Sequence, residues 1–270
     1  MESLAAIDGW PVGNAVAVVV GDGMILGSHG RIDREFGLAS VTKLLSTYAA
    51  LIAVEEGAIE LDQPAGPPGS TVRHLLAHTS GLAFDADKVV APPGQRRLYS
   101  NAGFAALATV IEHATGIPFA RYLRESVFTG LRMEHSRLVG SAGAGGISTA
   151  ADLANFAAEL QSPRLLSERT LTEATSVAFG DLAGVLPGLG YQRPNDWGLG
   201  FELRGHKSPH WTGSRNSART FGHFGQSGTF LWVDPDAGVA CVVLTDRKFG
   251  DWAKKEWPLF SDAILTELGH

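Results

Sequence analysis

Strand-like runs occupy only the two ends of this 270-residue chain, and helical patterns fill the middle. Asn14–Val20 and Met24–His29 are apolar or β-branched runs joined by Gly21-Asp22-Gly23, which reads as a β-hairpin. In the last third, Trp197–Leu203, Phe221–Phe224, Thr229–Val233 and Val239–Thr245 read as strands, the last two joined by the turn Asp234-Pro235-Asp236-Ala237-Gly238. A single antiparallel sheet built from both termini accounts for that layout. The expectation is an α/β fold of the α+β type: an antiparallel sheet formed from both chain ends, flanked by helices, with an inserted mainly helical lobe. Residues 1–57 and 195–270 would form the sheet-and-helix lobe and 58–194 the insertion, within one unit spanning 1–270.

The middle supports this division. From Ser40 to Glu56, Leu44, Leu45, Tyr48, Leu51, Ile52 and Glu55 follow a helical period, and Gly57 supplies the stop. Further helices are expected over Thr71–His78, Asn101–Ala114, Pro118–Phe128 and Ala150–Leu160, where Thr149 and Asp152 resemble a capping box. Another follows Ser167, and Lys254–Leu268 closes the chain as an amphipathic helix. Leu61–Ser70 and Gly180–Pro194, rich in Gly or Pro, read as loops.

Charge and motif content narrow the function. The formal net charge of −6 and the lack of any Lys/Arg cluster give no reason to expect a nucleic-acid partner. No stretch reaches the roughly twenty apolar residues of a membrane span, and no basic segment precedes an apolar one at the start, so the chain reads as cytoplasmic, with no membrane partner. Cys241 is the only cysteine, which rules out an internal disulfide, and its apolar run Val239–Leu244 suggests a buried, inert thiol. His74 and His78 have an i, i+4 spacing that can bind Zn²⁺, but no zincin glutamate follows His74 and no third ligand is evident. No Gly-x-Ser-x-Gly elbow or phosphate loop occurs. Neither a metal nor a cofactor is expected.

Three short motifs remain. Ser40-Val41-Thr42-Lys43 opens a helix, so the serine and lysine share one face. A serine hydroxyl needs a neighbour to take its proton, and a lysine can do so once burial lowers its pKa. Alone the pattern is weak, since Ser-x-x-Lys arises by chance about once in a chain of this size. Tyr99-Ser100-Asn101 offers a hydroxyl to relay a proton and an amide to hold Lys43 or a substrate carbonyl, although it also reads as a half-buried tyrosine ahead of a helix capped by Asn101. His223-Phe224-Gly225 lies in a glycine-dense strand, where a substrate backbone could approach closely and the Gln226 N–H could stabilise an oxyanion. It reads equally as a glycine-rich edge strand.

In this order, the three motifs resemble the Ser-x-x-Lys, Tyr-x-Asn and Lys/His-x-Gly motifs of the serine β-lactamase and penicillin-binding-protein superfamily. The likeness is greatest to its branch of class C β-lactamases, D-alanyl-D-alanine carboxypeptidases and esterases. Phe36–Lys43, Leu75–Leu82, Gly145–Leu153 and Trp197–Phe201 carry further phrases similar to that branch. The resemblance implies that Ser40 is acylated, that Lys43 and Tyr99 handle its proton, and that Asn101 orients Lys43 and the substrate. It also implies an oxyanion hole from the backbone of Ser40 and Gln226, and a packing and turn role for His78.

One departure matters. Many members carry lysine where this chain has His223, and there its charge attracts a substrate carboxylate. A histidine is partly charged near neutral pH. If His223 supplies charge, KM for carboxylate substrates should rise between about pH 5.5 and 7.5. The expected function is a serine hydrolase that cleaves ester or amide bonds, β-lactams included, in small-molecule substrates through an acyl-enzyme on Ser40. Ester chemistry is placed ahead of β-lactamase or D-peptidase activity. A carboxypeptidase, a β-lactamase proper, a non-catalytic penicillin-binding or sensor module, and acyl transfer to an acceptor other than water all stay open. So does the oligomeric state.

Overall fold

The structure, a computed structural model, describes residues 1–270. A 3₁₀ helix over Glu2–Gly9 leads into strands β1 (Ala15–Gly21), β2 (Met24–His29) and the short β3 (Glu35–Gly37). Helices α1 (Thr42–Glu55), α2 (Val72–Leu76), α3 (Asn101–Thr115) and α4 (Phe119–Leu123) follow, the last running on into a π turn at Arg124–Phe128. Strands β4 (Arg137–Leu138) and β5 (Gly146–Thr149) precede helices α5 (Ala150–Gln161) and α6 (Glu168–Ala174). A hairpin of β6 (Gly184–Leu186) and β7 (Gly190–Gln192) comes next. Strands β8 (Glu202–Leu203), β9 (Phe221–Gly225), β10 (Thr229–Asp234) and β11 (Val239–Thr245) and helix α7 (Asp251–Glu267) finish the chain.

The two chain ends meet as expected. The large sheet has the order β2-β1-β11-β10-β9-β8, and β1 pairs antiparallel with β11 from Ala15↔Thr245 to Gly21↔Val239. Its centre is buried on both faces, so its strands read as nearly continuous apolar runs. Along β1, Val16, Val18 and Val20 join one core, while Ala17 and Val19 join the other. β11 divides likewise, with Ala240, Val242 and Leu244 on one side and Val239, Cys241 and Val243 on the other. A slip of one residue would exchange the two sets, which pins the register. The first core is closed by Leu44, Leu45 and Leu51 of α1 and Leu153, Phe156 and Ala157 of α5. The second is closed by Leu4 and Ile7 of the opening 3₁₀ helix and Trp257, Phe260 and Ile264 of α7. Cys241 is fully buried there. No helix is long and apolar enough to cross a membrane.

Local chemistry explains most boundaries. The β1–β2 turn has Asp22 at φ 50° and Gly23 at φ 73°, the pair of positive values that a two-residue hairpin turn requires. The Ser100, Thr149 and Ser167 side chains accept from the N–H groups of Gly103, Asp152 and Thr170, capping α3, α5 and α6.

Two expectations fail. Gly180–Pro194 is not all loop, because β6 and β7 form a hairpin within it; strands of three residues are too short to show a period. Trp197–Leu203 is not one strand, since only Glu202–Leu203 pairs with the sheet. Its first half instead docks on the helical region. The Leu199 N–H donates to Ala174, the Gly200 N–H to Leu76, and Trp197 accepts from Ala178. The three-stranded sheet β3-β5-β4 gave no readable signal in the sequence.

Gly200 sits at φ 76°, and a Cβ there would fall 1.7 Å from Thr47 Oγ1 on α1. Gly200→Ala should therefore lower stability by more than about 1 kcal/mol, read as a drop in Tm on thermal unfolding. An unchanged Tm would mean that this segment is not held against α1.

Candidate active site

Ser40 lies in a turn over Ala39–Val41 that runs directly into α1. That turn is clamped on two sides. Leu38 donates its N–H to Gly146, and its carbonyl accepts from Thr229 Oγ1 at 2.9 Å. Ala39, immediately before the serine, is at φ 45°, a conformation non-glycine residues rarely adopt. Gly225 ends β9 against this turn, where a Cβ would lie 2.3 Å from the Leu38 carbonyl oxygen. What Gly225 admits in this structure is therefore the backbone that carries Ser40.

The first turn of α1 is tied to the segment 142–146. Thr42 Oγ1 accepts from the Gly146 N–H, and Ser46 Oγ donates to the Ala142 carbonyl. These bonds bring the Gly143 carbonyl to Lys43. The amine of Lys43, fully buried, donates to Gly143 at 2.7 Å and to Asn101 Oδ1 at 2.5 Å, and lies 3.3 Å from Ser40 Oγ. It also sits 4.7 Å from the centre of the Tyr99 ring. Burial lowers its pKa to about 7, against a smaller upward pull from Asp85. A neutral amine has two N–H groups and one lone pair. Asn101 and Gly143 occupy the two donors, which leaves the lone pair for the proton of Ser40.

Tyr99 is half-buried, and burial raises its pKa above the ordinary value, with hydrogen bonding to Ser40 a lesser downward effect. It is a phenol at neutral pH. Its hydroxyl lies 3.2 Å from His223 Nε2, and His223 Nδ1 is 2.6 Å from the Phe224 carbonyl oxygen. A carbonyl only accepts, so Nδ1 carries the proton and Nε2 accepts from Tyr99.

His223 corrects one expectation. It is only 3% exposed, and burial, followed by the nearby Lys43, lowers its pKa to about 3. The imidazole is neutral throughout the range where it was expected to lose a charge. It acts as an acceptor for Tyr99 and supplies no cation for a substrate carboxylate.

The remaining expected residues are placed as follows. Asn101 bridges Lys43 to Asp85, which accepts from its Nδ2 at 2.7 Å. Gln226 lies past the last ladder pair, Gly225↔Thr229, beside the Ser40 turn, and its N–H meets no protein acceptor. His78 is buried, accepts from the Ser100 N–H, and stacks on Tyr99 at 4.6 Å. His74 packs on Phe179 and meets Thr71 instead.

Several contributors carried no motif. Asp85 is one acid among many in a loop, and Gly143 acts through its carbonyl. A Cβ on Gly143 would fall 3.2 Å from Asn101 Oδ1, so the glycine-rich run 140–146 was the available clue. Trp197 closes the back of the site, with its ring 5.8 Å from Tyr99 and 5.4 Å from His223.

Comparisons with known proteins give the chain's family and fold. A family model described as Beta-lactamase matches residues 8–263. A solved structure described as a β-lactamase from Mycobacterium bovis is 57% identical, covers 99% of this chain and 100% of its own, and superposes with a TM-score of 0.98. A penicillin-binding protein of Bacillus subtilis is 28% identical over 136 residues, which is 38% of this chain and 30% of that protein. The D-alanyl-D-alanine-carboxypeptidase/endopeptidase AmpH of Escherichia coli is 24% identical over 169 residues, covering 45% of this chain and 44% of AmpH. The chain thus matches less than half the length of these two curated relatives.

The desolvated amine can be observed directly. Lys43 should titrate near pH 7 in an NMR titration of its ε-methylene, and Asp85→Asn should move that titration lower by removing the anion that favours the ammonium. A lysine titrating near the ordinary value of about 10.4 would contradict the arrangement.

Proposed function

Since the chain belongs to the β-lactamase family, we propose that it is a serine hydrolase that cleaves ester or amide bonds of small molecules through an acyl-enzyme on Ser40. The observation that carries this reading is Lys43, whose two N–H groups are held by Asn101 and Gly143 while its nitrogen faces Ser40 Oγ. Neutral Lys43 takes the serine proton as Oγ attacks the substrate carbonyl carbon. The N–H groups of Ser40 and Gln226 donate to the carbonyl oxygen as it gains negative charge. Tyr99 gives its proton to the leaving oxygen or nitrogen and regains one from the Lys43 ammonium, which restores the neutral amine and leaves the acyl group on Ser40. Water then follows the same path in reverse: Lys43 and Tyr99 take its proton, and Ser40 departs carrying one.

The neutral His223 favours substrates that need no cation at that position, which places ester chemistry first. β-Lactam hydrolysis is the second reading, favoured by the likeness to the Mycobacterium bovis β-lactamase. Short-chain p-nitrophenyl esters and a chromogenic cephalosporin, each tried with wild type and Ser40→Ala, separate the two. Ser40→Ala should reduce turnover by roughly 10³-fold or more. Serine-dependent ester turnover with little cephalosporin hydrolysis supports the first reading, and the opposite ratio supports the second. Undiminished turnover in Ser40→Ala removes both.

The pH profile carries a sign. Below about pH 7 Lys43 holds its proton and cannot act as a base, so kcat/KM should rise with pH through that region and then level off. Tyr99→Phe should lower kcat about 10²–10⁴-fold. His223 stays neutral above about pH 3, so KM for carboxylate substrates should show no histidine titration between pH 5.5 and 7.5. A KM that follows such a titration would restore a charge to His223.

A further inference from the structure

A groove of about 960 Å³ runs away from Tyr99 between the segment 82–99 and the β6–β7 hairpin. Its two walls are fastened together. The Arg97 N–H donates to the Ala183 carbonyl at 3.1 Å, and Gly184 approaches so closely that a Cβ would lie 2.2 Å from the Arg97 carbonyl oxygen. The Arg97 guanidinium turns inward, where it donates to the carbonyls of Ala77, Asn195, Ala178 and Phe179. The groove is therefore a built part of the fold that meets the site at Tyr99.

Its lining has an unusual composition. Of the eleven large apolar side chains most exposed in this protein, four face this one groove: Phe84, Val90, Val185 and Tyr191. Apolar exposure gathered in one concavity marks a binding surface, whereas scattered exposure does not. With the Arg97 guanidinium turned inward, the charged lining is Arg96 and Arg193 against the single carboxylate of Asp181. Arg96 and Arg193 are exposed and take no part in an ion pair. Two free guanidiniums beside an apolar floor suit a chain that ends in an anion.

We infer that the substrate of this site carries an apolar arm ending in a carboxylate or similar anion, laid along the groove with its charge at Arg96 and Arg193. The inference rests on the hydrolase reading, because it takes the groove to be an extension of the Ser40–Tyr99 site. It also places anion recognition on residues other than His223, which does not line the groove.

The test uses decanoate as an anionic probe and decyltrimethylammonium as a cationic one of equal chain length. Binding is measured by calorimetry on Ser40→Ala, so turnover plays no part. Decanoate should bind more tightly than the cation, and Arg96→Gln and Arg193→Gln, each combined with Ser40→Ala, should weaken it about threefold apiece, as exposed ion pairs do. In wild type, decanoate should compete with p-nitrophenyl acetate. Equal affinity for the two probes, no decanoate binding, unchanged affinity in both arginine variants, or non-competitive inhibition would each overturn the inference. The hydrolase reading is judged separately by whether acetate turnover needs Ser40. Serine-dependent turnover without decanoate binding would thus reject the groove assignment alone.

Discussion

The burial of one amine governs the rest of this site. Placing an ammonium in a protein interior is costly unless it is paired, and Lys43 has no carboxylate in direct contact. The acid whose charge it feels, Asp85, is hydrogen-bonded to Asn101 rather than to the amine. The structure answers with neutral acceptors, and the proton affinity of the amine falls instead. An ion pair at the same place would have held the lysine protonated and useless as a base. Asn101 and Gly143 orient the amine without fixing its charge, which is what the proposed proton transfer requires.

That arrangement demands a rigid support, and the sheet supplies it. β9 is the strand that brings His223 to Tyr99 and Gly225 to the serine turn, and it is paired along both edges, to β10 and to β8. Ala39 can be held at its positive φ because Leu38 is fixed from two directions. Behind the aromatic wall lies a second buried network. Glu202 is buried, yet the attraction of Lys207 and His210 outweighs that burial and holds its carboxyl well below the usual range. Lys207 reaches from this network to the Trp197 ring, at 5.9 Å, and Trp197 in turn packs on Tyr99 and His223. The tryptophan is thus backed by a buried ion pair.

The division between what the sequence revealed and what it hid follows from range. The Asp22-Gly23 turn, the helix starts at Thr149 and Ser167, and the apolar runs of β1 and β11 are local, so they could be read from residues alone, whereas the cap expected at Asn101 falls one residue earlier, on Ser100. The approach of Ser40, Lys43, Tyr99, Asn101 and His223 to one another was legible only through the joint order of three motifs, since each motif had an ordinary alternative. Asp85, Gly143 and the tie between Glu202 and Trp197 depend on tertiary neighbours and left no pattern. The charge of His223 was misjudged for the same reason. A histidine's identity fixes its ordinary pKa, but its burial beside Lys43 decides the actual one.

These electrostatics bear on where a substrate anion can sit. A carboxylate held next to His223 would lie near Lys43, and its negative charge would favour the ammonium form and raise the pKa of the base. Asp85 already exerts that pull. A second anion at close range would act against the desolvation that makes Lys43 competent near neutral pH. At Arg96 and Arg193 the same charge would be neutralised locally and partly screened by solvent, because both arginines are exposed. A neutral histidine at the third motif and guanidiniums along the groove are therefore consistent parts of one design: the reacting end stays free of fixed charge while recognition takes place further along the substrate.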